Sequence, residues 1–348
     1  MEKLKIVVVG PGLIGKQHAR LASQHPDCVL SAIVAPDHEN NHEFVQQCGV
    51  PLFFDLEKCI LDVAPDGVIV SSPNKFHFEQ ASSCIRHGIP VLVEKPITIN
   101  AEEGELLVSL SEQHKVPVLV GHHRAHSPIL EKAREIIHSG KLGKLVTVTG
   151  SAQFYKPESY FRAGVWRTEP GGGPILINLI HEIGNLRSMC GEISAVHAFA
   201  SSTTRNFAVE DTVSINIMFN SGVIGNFILS DTAASARSWE HTSGENPDYP
   251  MSSDEDCYFI AGTKGSLAVP TFRVKYYADE DTPSWWTPMN NEIVEFQRED
   301  PLIRQFDHFV KVIKGVVLPL VSARDGLNNL KVTEAISKSA KTGQAIWL

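Results

Sequence analysis

The sequence predicts two domains, a doubly wound α/β domain followed by a larger α+β domain. A chain of 348 residues is too long for one ordinary hydrophobic core. Short β-branched runs alternate with helical stretches over roughly the first 120 residues, which is typical of a parallel sheet covered by helices. Later strands are longer and alternate apolar with polar residues, as in an antiparallel sheet with one open face. We expect the first domain at residues 1–122 and the second at residues 123–348.

The first domain is predicted to alternate buried strands with helices. Apolar runs without alternation indicate strands that are buried on both faces. In chain order the predicted strands are KIVVV (5–9), VLSAIV (29–34), GVIVSS (67–72), VLVEK (91–95) and VPVLVG (116–121). The predicted helices lie from about Ile14, around His42, from Phe76 and from Ala101.

The second domain is predicted to contain a large open sheet. A helix over residues 127–143 ends in glycines, and the strand LVTVTGSAQF (145–154) follows it. The strand TVSINIMFN (212–220) turns at Asn-Ser-Gly into VIGNFILS (223–230), which is a hairpin pattern. Because hairpins pair their strands antiparallel, we expect a mainly antiparallel sheet in this domain.

Composition excludes several classes of partner. The formal net charge is −9, and lysines and arginines form no runs, so we expect no nucleic acid partner. The N-terminal apolar run, residues 6–9, is too short for a signal peptide or a membrane span. We therefore expect a cytoplasmic protein that binds no membrane. The six cysteines form no CxxC pair, which favours reduced thiols over a zinc site or a disulfide framework.

A glycine-rich stretch, GPGLIG (10–15), directly follows the first strand and opens a helix. At such a junction Gly10 allows the tight turn, Gly12 lets a pyrophosphate approach the backbone, and Gly15 lets the helix pack closely on the strand. This is the dinucleotide fingerprint of a Rossmann domain. The expected cofactor contacts are Gly10, Gly12, Leu13, Ile14 and Gly15, and the alternative is a plain tight turn.

The second strand ends at Ala35, where an acid would normally hold the ribose hydroxyls of the cofactor. Asp37 lies two residues later and is the candidate ribose contact. No arginine or lysine follows at once to bind a 2′-phosphate, so NAD is preferred, with NADP left open. Alternatively, Asp37 caps a helix.

The segment SSPNKFH (71–77) follows the carboxyl end of a predicted strand, where ligands of open α/β sheets bind. Contacts with the ribose or the nicotinamide are expected from Ser71, Ser72, Pro73, Asn74 and His77. An ordinary turn that leads into a helix explains the same residues equally well.

The segment VLVEKPI (91–97) places Glu94 and Lys95 at the carboxyl end of another buried strand. A lysine beside low-dielectric walls can have its pKa lowered, and its charge can stabilise an alkoxide or orient a hydroxyl. The alternative is a solvated lysine before a loop.

Four motifs stand in one order along the chain: GPGLIGKQHARLA (10–22), SSPNKFH, EKPI (94–97) and GGGP (171–174) with His181 after it. In this order and spacing they resemble the Gfo/Idh/MocA family of sugar and polyol dehydrogenases, and the resemblance covers nearly the whole chain. EKP is the most specific of the four.

The resemblance implies hydride transfer between NAD or NADP and a carbinol of a small polyhydroxylated substrate, such as a sugar or inositol. It places Lys95 at the reacting carbon and puts Glu94, Lys95 and Pro96 beside the cofactor, with the Lys95–Pro96 peptide often cis. It also implies a homodimer or homotetramer that forms through the C-terminal sheet.

The stretch GGGPILINLIHEIG (171–184) predicts a helix that starts at Pro174 and ends at Gly191. Its polar residues recur at helical spacing, which is also typical of an amphipathic surface helix. They are Asn178, His181, Glu182 and Asn185. The resemblance makes His181 the group that exchanges the proton of the oxidised hydroxyl, which a neutral imidazole can do near pH 7.

One departure from the family pattern lies in this helix. The usual aspartate, four residues before the histidine, is replaced here by Ile177. Asn178, three residues before His181, can still face it and contact the substrate, but it carries no charge. Chemistry shared by His181 and Lys95 is therefore expected.

The segment GHHRAHSP (121–128) lies at the predicted domain junction. His123 is expected at the nicotinamide or the substrate, and Arg124 could hold a substrate hydroxyl or carboxylate. No metal is predicted, since His122 and His126 have no acid or cysteine nearby to complete a zinc shell.

Aromatic and basic residues precede the glycine run, in the segment 154–173. Aromatic faces with polar tips suit sugar rings, which makes Tyr155, Trp166 and Arg167 candidate substrate contacts, together with Lys156 and Tyr160. Loop packing is the alternative for each residue.

Together these features predict an NAD(P)-dependent oxidoreductase that acts on a CH–OH group, with His181 as the base and Lys95 stabilising the alkoxide. Two alternatives remain open from sequence: a lyase or hydrolase that retains and recycles NAD, and a non-catalytic dinucleotide-binding regulator. The presence of both Lys95 and His181 argues against the regulator.

Overall fold

The computed structural model describes residues 2–278 and 282–348 and divides the chain into two compact units. The first contains Met1–His123 and Leu302–Leu330, and the second contains Arg124–Pro301 and Lys331–Leu348. Among the described residues, no helix combines the length and the hydropathy that a membrane span requires.

The first unit is built on a six-stranded parallel sheet in the order β3-β2-β1-β4-β5-β6. This order is that of a doubly wound dinucleotide-binding fold, whose order reverses between β1 and β4. Its strands are β1 (Leu4–Val9), β2 (Cys28–Val34), β3 (Leu52–Phe53), β4 (Gly67–Val70), β5 (Val91–Glu94) and β6 (Val118–Gly121). The connecting helices are α1 (Leu13–Gln24), α2 (Glu39–Cys48), α3 (Leu56–Val63), α4 (His77–Arg86) and α5 (Ala101–His114).

The predicted parallel sheet is confirmed, and its burial explains why the apolar runs lack alternation. Every residue of β4, β5 and β6 is buried, because helices cover both faces of the sheet. Two elements were not predicted, β3 and α3. A strand of two residues shows no periodicity of its own, so nothing in its local sequence marks it.

The segment Leu302–Leu330 belongs to the first unit, whereas the sequence-based division placed it in the second domain, 123–348. Helix α10 (Pro301–Ile313) sends Phe306 and Phe309 into the same core as Ile6 and Val8. Farther on, the N–H of Val120 in β6 donates to the carbonyl of Val321 at 2.9 Å. An amphipathic helix shows which of its faces is apolar but not which sheet it covers, and this explains the error.

The second unit contains a nine-stranded sheet in the order β14-β13-β12-β11-β7-β10-β9-β8-β15. Strand β7 pairs parallel with β10, and the other pairs are antiparallel, so the predicted mainly antiparallel sheet is confirmed. The strands are β7 (Leu145–Gln153), β8 (Ile193–Ser201), β9 (Thr212–Phe219), β10 (Ile224–Ser230), β11 (Tyr258–Gly262), β12 (Gly265–Val269), β13 (Arg273–Tyr276), β14 (Asn290–Ile293) and β15 (Ile346–Trp347).

One face of this sheet forms the core of the second unit. Buried and less buried positions alternate along β9, and its inward residues pack with apolar residues of helices. These helices are α6 (Pro128–His138), α8 (Ile180–Cys190) and the later part of α11 (Ala323–Thr342). The opposite face carries exposed apolar side chains, among them Phe199, Ile224 and Phe259. Two short helices, α7 (Glu158–Arg162) and α9 (Trp239–Thr242), complete the unit.

Candidate active site

The glycine-rich turn between β1 and α1 is shaped by its glycines. Gly10 has φ +82°, and a Cβ at Gly15 would lie 2.1 Å from the carbonyl oxygen of Gly10. Gly12 differs, because a Cβ there would meet no atom within 4 Å. No side chain caps α1, so its N-terminal N–H groups stay available on the open side of Gly12. These features fit the pyrophosphate of a dinucleotide, and Leu13 and Ile14 begin the same helix.

Ser71 joins the glycine turn to the end of β4. Its hydroxyl donates to the carbonyl oxygens of Val9 and Gly10, both at 2.9 Å. Ser72 instead bonds Gln80 at 2.6 Å, and Pro73 and Asn74 begin the turn that precedes α4. The turn interpretation of this segment is therefore correct, and contacts of these residues with a cofactor stay a prediction.

His77 has a structural role in the first unit. Its ring nitrogens lie 2.8 Å from the carbonyl oxygens of Pro96 and Ser72, and the side chain is buried. Burial lowers the pKa of His77, although the two carbonyl contacts oppose this shift. The imidazole therefore ties the loops that carry Ser72 and Pro96 together, and its contact with a cofactor stays a prediction.

Asp37 lies at the surface beyond β2. Its carboxylate pairs with the ring of His42 at 2.7 Å and is largely exposed. The alternative that Asp37 caps a helix is wrong, since α2 is capped by the side chain of His38. The ribose contact stays a prediction.

The loop after β5 holds Lys95 beside a buried ion pair. The Lys95–Pro96 peptide is cis, as the family resemblance implied. The carboxylate of Glu94 lies 2.8 Å from Nε2 of His18 in α1 and 3.3 Å from the backbone nitrogen of Lys95. Burial alone would raise the pKa of Glu94, but the hydrogen bond and charge of His18, with the charges of His123 and Lys95, hold it below its usual value.

This arrangement gives Glu94 an anchoring role, and its contact with the cofactor stays a prediction. Its two carboxylate oxygens face His18 and the Lys95 backbone, so Glu94 anchors the lysine-bearing loop to the helix that follows the glycine turn. His18 was not predicted as a site residue. It lies 76 positions before Glu94, and no local pattern connects the two.

The two histidines after β6 have different surroundings. His122 is buried, with Nε2 3.3 Å from Nδ2 of Asn329, so it packs inside the first unit. His123 is partly exposed and begins a short 3₁₀ turn, His123–His126. Among the described residues, no group of three or more histidine, cysteine, aspartate or glutamate side chains could hold a metal ion.

The helix that carries His181 begins with one π-helical turn, Ile175–Leu179, and continues as α8 to Gly191. The interpretation as a wet surface helix is wrong, because His181, Glu182 and Asn185 are 7%, 1% and 1% exposed. Glu210, another residue that was not predicted, accepts a hydrogen bond from the Ile175 N–H at 2.9 Å. Single π-helical turns inside α-helices are frequently found at functional sites.

Arg124 forms a buried ion pair with Glu182, the residue that follows His181 in α8. The guanidinium of Arg124 contacts the carboxylates of Glu182 and, at 2.7 Å, Glu240. Tyr258 donates to Glu182 and accepts from Asn185. Arg124 is thus the counter-ion of two glutamates, and its contact with a substrate stays a prediction.

The two glutamates differ in pKa although they share one guanidinium. Burial raises the pKa of Glu182, and the nearby charge of Arg124 only partly opposes the shift. For Glu240, burial is outweighed by Arg124, and the pKa lies below the usual value. One cation between two buried carboxylates leaves one of them easier to protonate.

The side chain of Asn178 accepts a hydrogen bond from Lys156, which belongs to the loop after β7. Nζ of Lys156 donates to Oδ1 of Asn178 at 2.6 Å and lies 3.9 Å from a carboxylate oxygen of Asp231. The side chain of Lys156 is nearly buried, whereas Tyr155 is exposed and lies under the guanidinium of Arg205. A cation therefore lies beside Asn178, the uncharged residue that follows Ile177.

Trp166 and Arg167 lie in one 3₁₀ turn, Val165–Thr168. The guanidinium carbon of Arg167 lies 3.9 Å from the ring centroid of Tyr160, and its Nη1 donates to the Tyr160 carbonyl. Trp166 is 55% exposed. Their roles toward a substrate stay predictions.

Two family models match this chain over most of its length. One, described as an oxidoreductase family with an NAD-binding Rossmann fold, matches residues 4–122, and the Gfo/Idh/MocA C-terminal domain matches residues 130–268. The chain belongs to the Gfo/Idh/MocA family. The resemblance seen in the motifs is confirmed, and this Gfo/Idh/MocA protein is an NAD(P)-dependent oxidoreductase.

Curated relatives and solved structures agree with this assignment. The Rhizopine catabolism protein MocA of Rhizobium meliloti is 27% identical over 59% of this chain and 62% of its own length. A D-xylose 1-dehydrogenase (NADP(+)) of Haloferax volcanii is 24% identical over 98% of both chains. The WlbA dehydrogenase of Bordetella pertussis, solved with NADH and UDP-GlcNAcA, shares the fold with a TM-score of 0.79 and 22% identity, over 100% of this chain and 99% of its own.

Proposed function

We propose that this protein transfers hydride between NAD(P) and one carbinol of a sugar or related polyhydroxylated ring. The observation that carries the proposal is the placement of Lys95, which the buried Glu94–His18 pair holds at the loop beside the dinucleotide turn. A sugar substrate is supported by two similar proteins, the D-xylose 1-dehydrogenase of Haloferax volcanii and the WlbA dehydrogenase solved with UDP-GlcNAcA.

The residues of the glycine turn would hold the dinucleotide, with the pyrophosphate over Gly12 and the N-terminus of α1. When bound, NAD or NADP supplies the hydride acceptor or donor. We propose NAD over NADP. Asp37 is the first charged residue after β2. Its carboxylate can accept hydrogen bonds from the ribose hydroxyls of NAD, whereas it would repel the 2′-phosphate of NADP.

In the oxidative direction, His181 takes the hydroxyl proton and Lys95 stabilises the alkoxide. An imidazole is a suitable proton acceptor near neutral pH, and a positioned general base is typically worth about 10²–10⁴ in rate. The ammonium of Lys95 offers its charge where negative charge develops on oxygen. His123 is proposed to contact the nicotinamide or the substrate, and Tyr155 and Trp166 to contact the sugar ring.

We also propose that the protein forms a homodimer or homotetramer through the open face of the nine-stranded sheet. Phe199, Ile224 and Phe259 expose large apolar side chains there, and such a face is a candidate for burial against a second copy. A cytoplasmic location is proposed as well. All six cysteines are free thiols, which suits a reducing compartment.

A substrate screen with two variants tests the proposed function. Sugars, inositols and sugar acids are supplied with NAD and NADP separately, and formation of reduced nicotinamide is followed by absorbance. Lys95→Met and His181→Asn should each lower kcat by about 10²-fold or more and leave the dissociation constant of the cofactor within about 2-fold. Lys144→Met and His138→Asn, both at exposed positions, serve as matched controls.

Two results would contradict the assignment. Near-normal turnover in His181→Asn would remove His181 from proton transfer. Product formation without net reduction of added NAD would instead identify a lyase or hydrolase that recycles a retained cofactor.

A further inference from the structure

The loop that carries Lys95 is held by a buried histidine on each side. Before Lys95, the carboxylate of Glu94 lies 2.8 Å from Nε2 of His18. After Lys95, the carbonyl oxygen of Pro96 lies 2.8 Å from Nδ1 of His77. The two histidines belong to different helices of the first unit, α1 and α4. Because such supporting contacts fix the position of a functional side chain, both histidines bear on where the ammonium of Lys95 lies.

Both ring nitrogens of His77 face groups that can only accept hydrogen bonds. Nδ1 lies 2.8 Å from the carbonyl oxygen of Pro96, and Nε2 lies 2.8 Å from the carbonyl oxygen of Ser72. A neutral imidazole has one N–H, so only one of these contacts can be a hydrogen bond in the neutral form. The imidazolium has two N–H groups and satisfies both carbonyls. The number of hydrogen bonds that His77 makes therefore depends on its protonation.

Burial and charge act in opposite directions on the second proton of His77. Burial lowers the pKa of His77, whereas the carbonyls of Pro96 and Ser72 and the negative charge of Glu94 in β5 favour the imidazolium. Glu94 in turn faces three groups that can carry positive charge, which are His18 of α1, His123 after β6 and Lys95. Because burial is the largest effect, we expect His77 to be neutral at pH 7 and to take up its second proton below the ordinary value of 6.5.

The burial of the two carbonyl contacts determines which of them the neutral form keeps. The contact of His77 with Pro96 is buried, whereas the contact with Ser72 is only partly buried. A buried carbonyl without a donor costs more free energy than a carbonyl that water can reach. The Ser72 hydroxyl also bonds Gln80 of α4 at 2.6 Å, so this segment stays attached when its carbonyl loses the imidazole. The neutral form should therefore carry its proton on Nδ1.

We propose that His77 is a positioning residue for Lys95: its Nδ1–H holds the Pro96 carbonyl in both protonation states, and a second proton on Nε2 adds the hydrogen bond to Ser72. The role toward Lys95 rests on the proposed function, whereas the order in which the two nitrogens are protonated does not. The hydrogen bond that places the lysine-bearing loop thus persists at neutral pH, where the imidazole has a single N–H.

Nuclear magnetic resonance of the ring nitrogens tests where the protons lie. The full chain is labelled with nitrogen-15 at histidine, and the signals of His77 are assigned by their absence from the spectrum of His77→Asn or His77→Gln. At pH 8 the proton should be on Nδ1, and acidification should place protons on both nitrogens with a midpoint below 6.5. A proton on Nε2 at pH 8 would overturn the proposal.

Two substitutions separate the two contacts. The side-chain amide of asparagine lies near the position of Nδ1 and that of glutamine near the position of Nε2, so His77→Asn can keep the contact with Pro96 and His77→Gln only the contact with Ser72. At pH 8 His77→Asn should keep kcat within about 3-fold of the parent protein, whereas His77→Gln should lower kcat by about 10-fold or more. This loss should exceed any change in the dissociation constant of NADH.

The same two substitutions at His87 are the matched controls, because His87 is exposed at the end of α4 and contacts the backbone carbonyl of Ser83. Equal kcat values in His77→Asn and His77→Gln would refute the positioning role. Failure of the proposed function gives a different result, since near-normal turnover in Lys95→Met would refute the catalytic role of Lys95. The nitrogen-15 spectrum would still show which nitrogen of His77 carries the proton.

Discussion

The carboxyl group of Glu245 lies between two donors, the hydroxyl of Ser127 and the indole Nε1 of Trp239. Glu245 is half-buried as a residue, and burial of its carboxyl raises the pKa of Glu245 from 4.5 to about 7. The folded protein therefore keeps a proton between about pH 4.5 and 7 that the unfolded chain has released. This group stabilises the fold fully below that window and loses its contribution as the pH rises through 7.

Replacement of Glu245 by glutamine should remove this pH dependence. Glu245→Gln keeps the size and one acceptor oxygen but cannot ionise, so its free energy of unfolding relative to the parent protein should be higher at pH 8 than at pH 5. Urea unfolding at the two pH values measures the difference. Glu43→Gln, at an exposed position, is the control. A difference of the same size at both pH values would show that Glu245 ionises normally.

Residue types and the order of the motifs together predicted candidate residues for this site but not their structural partners. Lys95, His181 and the glycines were predicted because strand ends and a known motif order mark them. The role of Arg124 as a buried counter-ion was not predicted, since its carboxylate partner Glu182 lies 58 residues away. The role of Glu94 as an anchor likewise depends on a distant residue, His18. Such pairs are set by tertiary packing, which no local spacing encodes.

At the scale of elements, the strand–turn–helix unit β1–α1 separates two roles of glycine. A Cβ at Gly15 would lie 2.1 Å from the backbone oxygen of Gly10, so Gly15→Ala must shift β1 or α1. A Cβ at Gly12 would meet no protein atom within 4 Å and would occupy only the space expected for the pyrophosphate.

The two alanine variants should therefore fail in different ways. Gly15→Ala should lower the melting temperature by several degrees, because the backbone clash exceeds the roughly 1 kcal/mol that alanine gains over glycine in a helix. Gly12→Ala should keep the melting temperature within about a degree and weaken cofactor binding by about 10-fold or more. Thermal unfolding and an NADH fluorescence titration measure both quantities. Unchanged cofactor affinity in Gly12→Ala would contradict the assigned position of the pyrophosphate.

The helix that carries His181 shows what the periodicity of polar residues cannot predict. Its start at Pro174 and end at Gly191 agree with the sequence, but its polar stripe was also consistent with solvent exposure. Whether Glu182 faces water or a buried cation depends on Arg124, which belongs to another element. The π-helical turn Ile175–Leu179 was likewise not predicted, because a spacing of polar residues does not fix the number of residues per turn.

At the scale of the whole molecule, the first unit is completed by residues 302–330, which lie far along the chain from residues 1–123. Phe306, Phe309 and Val310 of α10 are buried in the core with strands β1 and β4. Burial of each such side chain is worth about 1.5–3 kcal/mol, and a domain is stable by only about 5–15 kcal/mol. The predicted autonomous domain 1–122 thus lacks apolar surface that its fold requires.

Two fragments test this dependence directly. Residues 1–123 alone should show no cooperative unfolding, whereas the same residues joined by a flexible Gly/Ser linker to residues 302–330 should unfold cooperatively in urea and bind NADH. In the joined fragment, Phe309→Ala should cost about 3–5 kcal/mol of unfolding free energy because it leaves a cavity in the core. Near-UV circular dichroism and urea titration measure the transitions. If residues 1–123 alone unfold with the midpoint of the joined fragment, the helix α10 covers a domain that is already complete without it, and the sequence-based boundary near residue 122 would be the correct one.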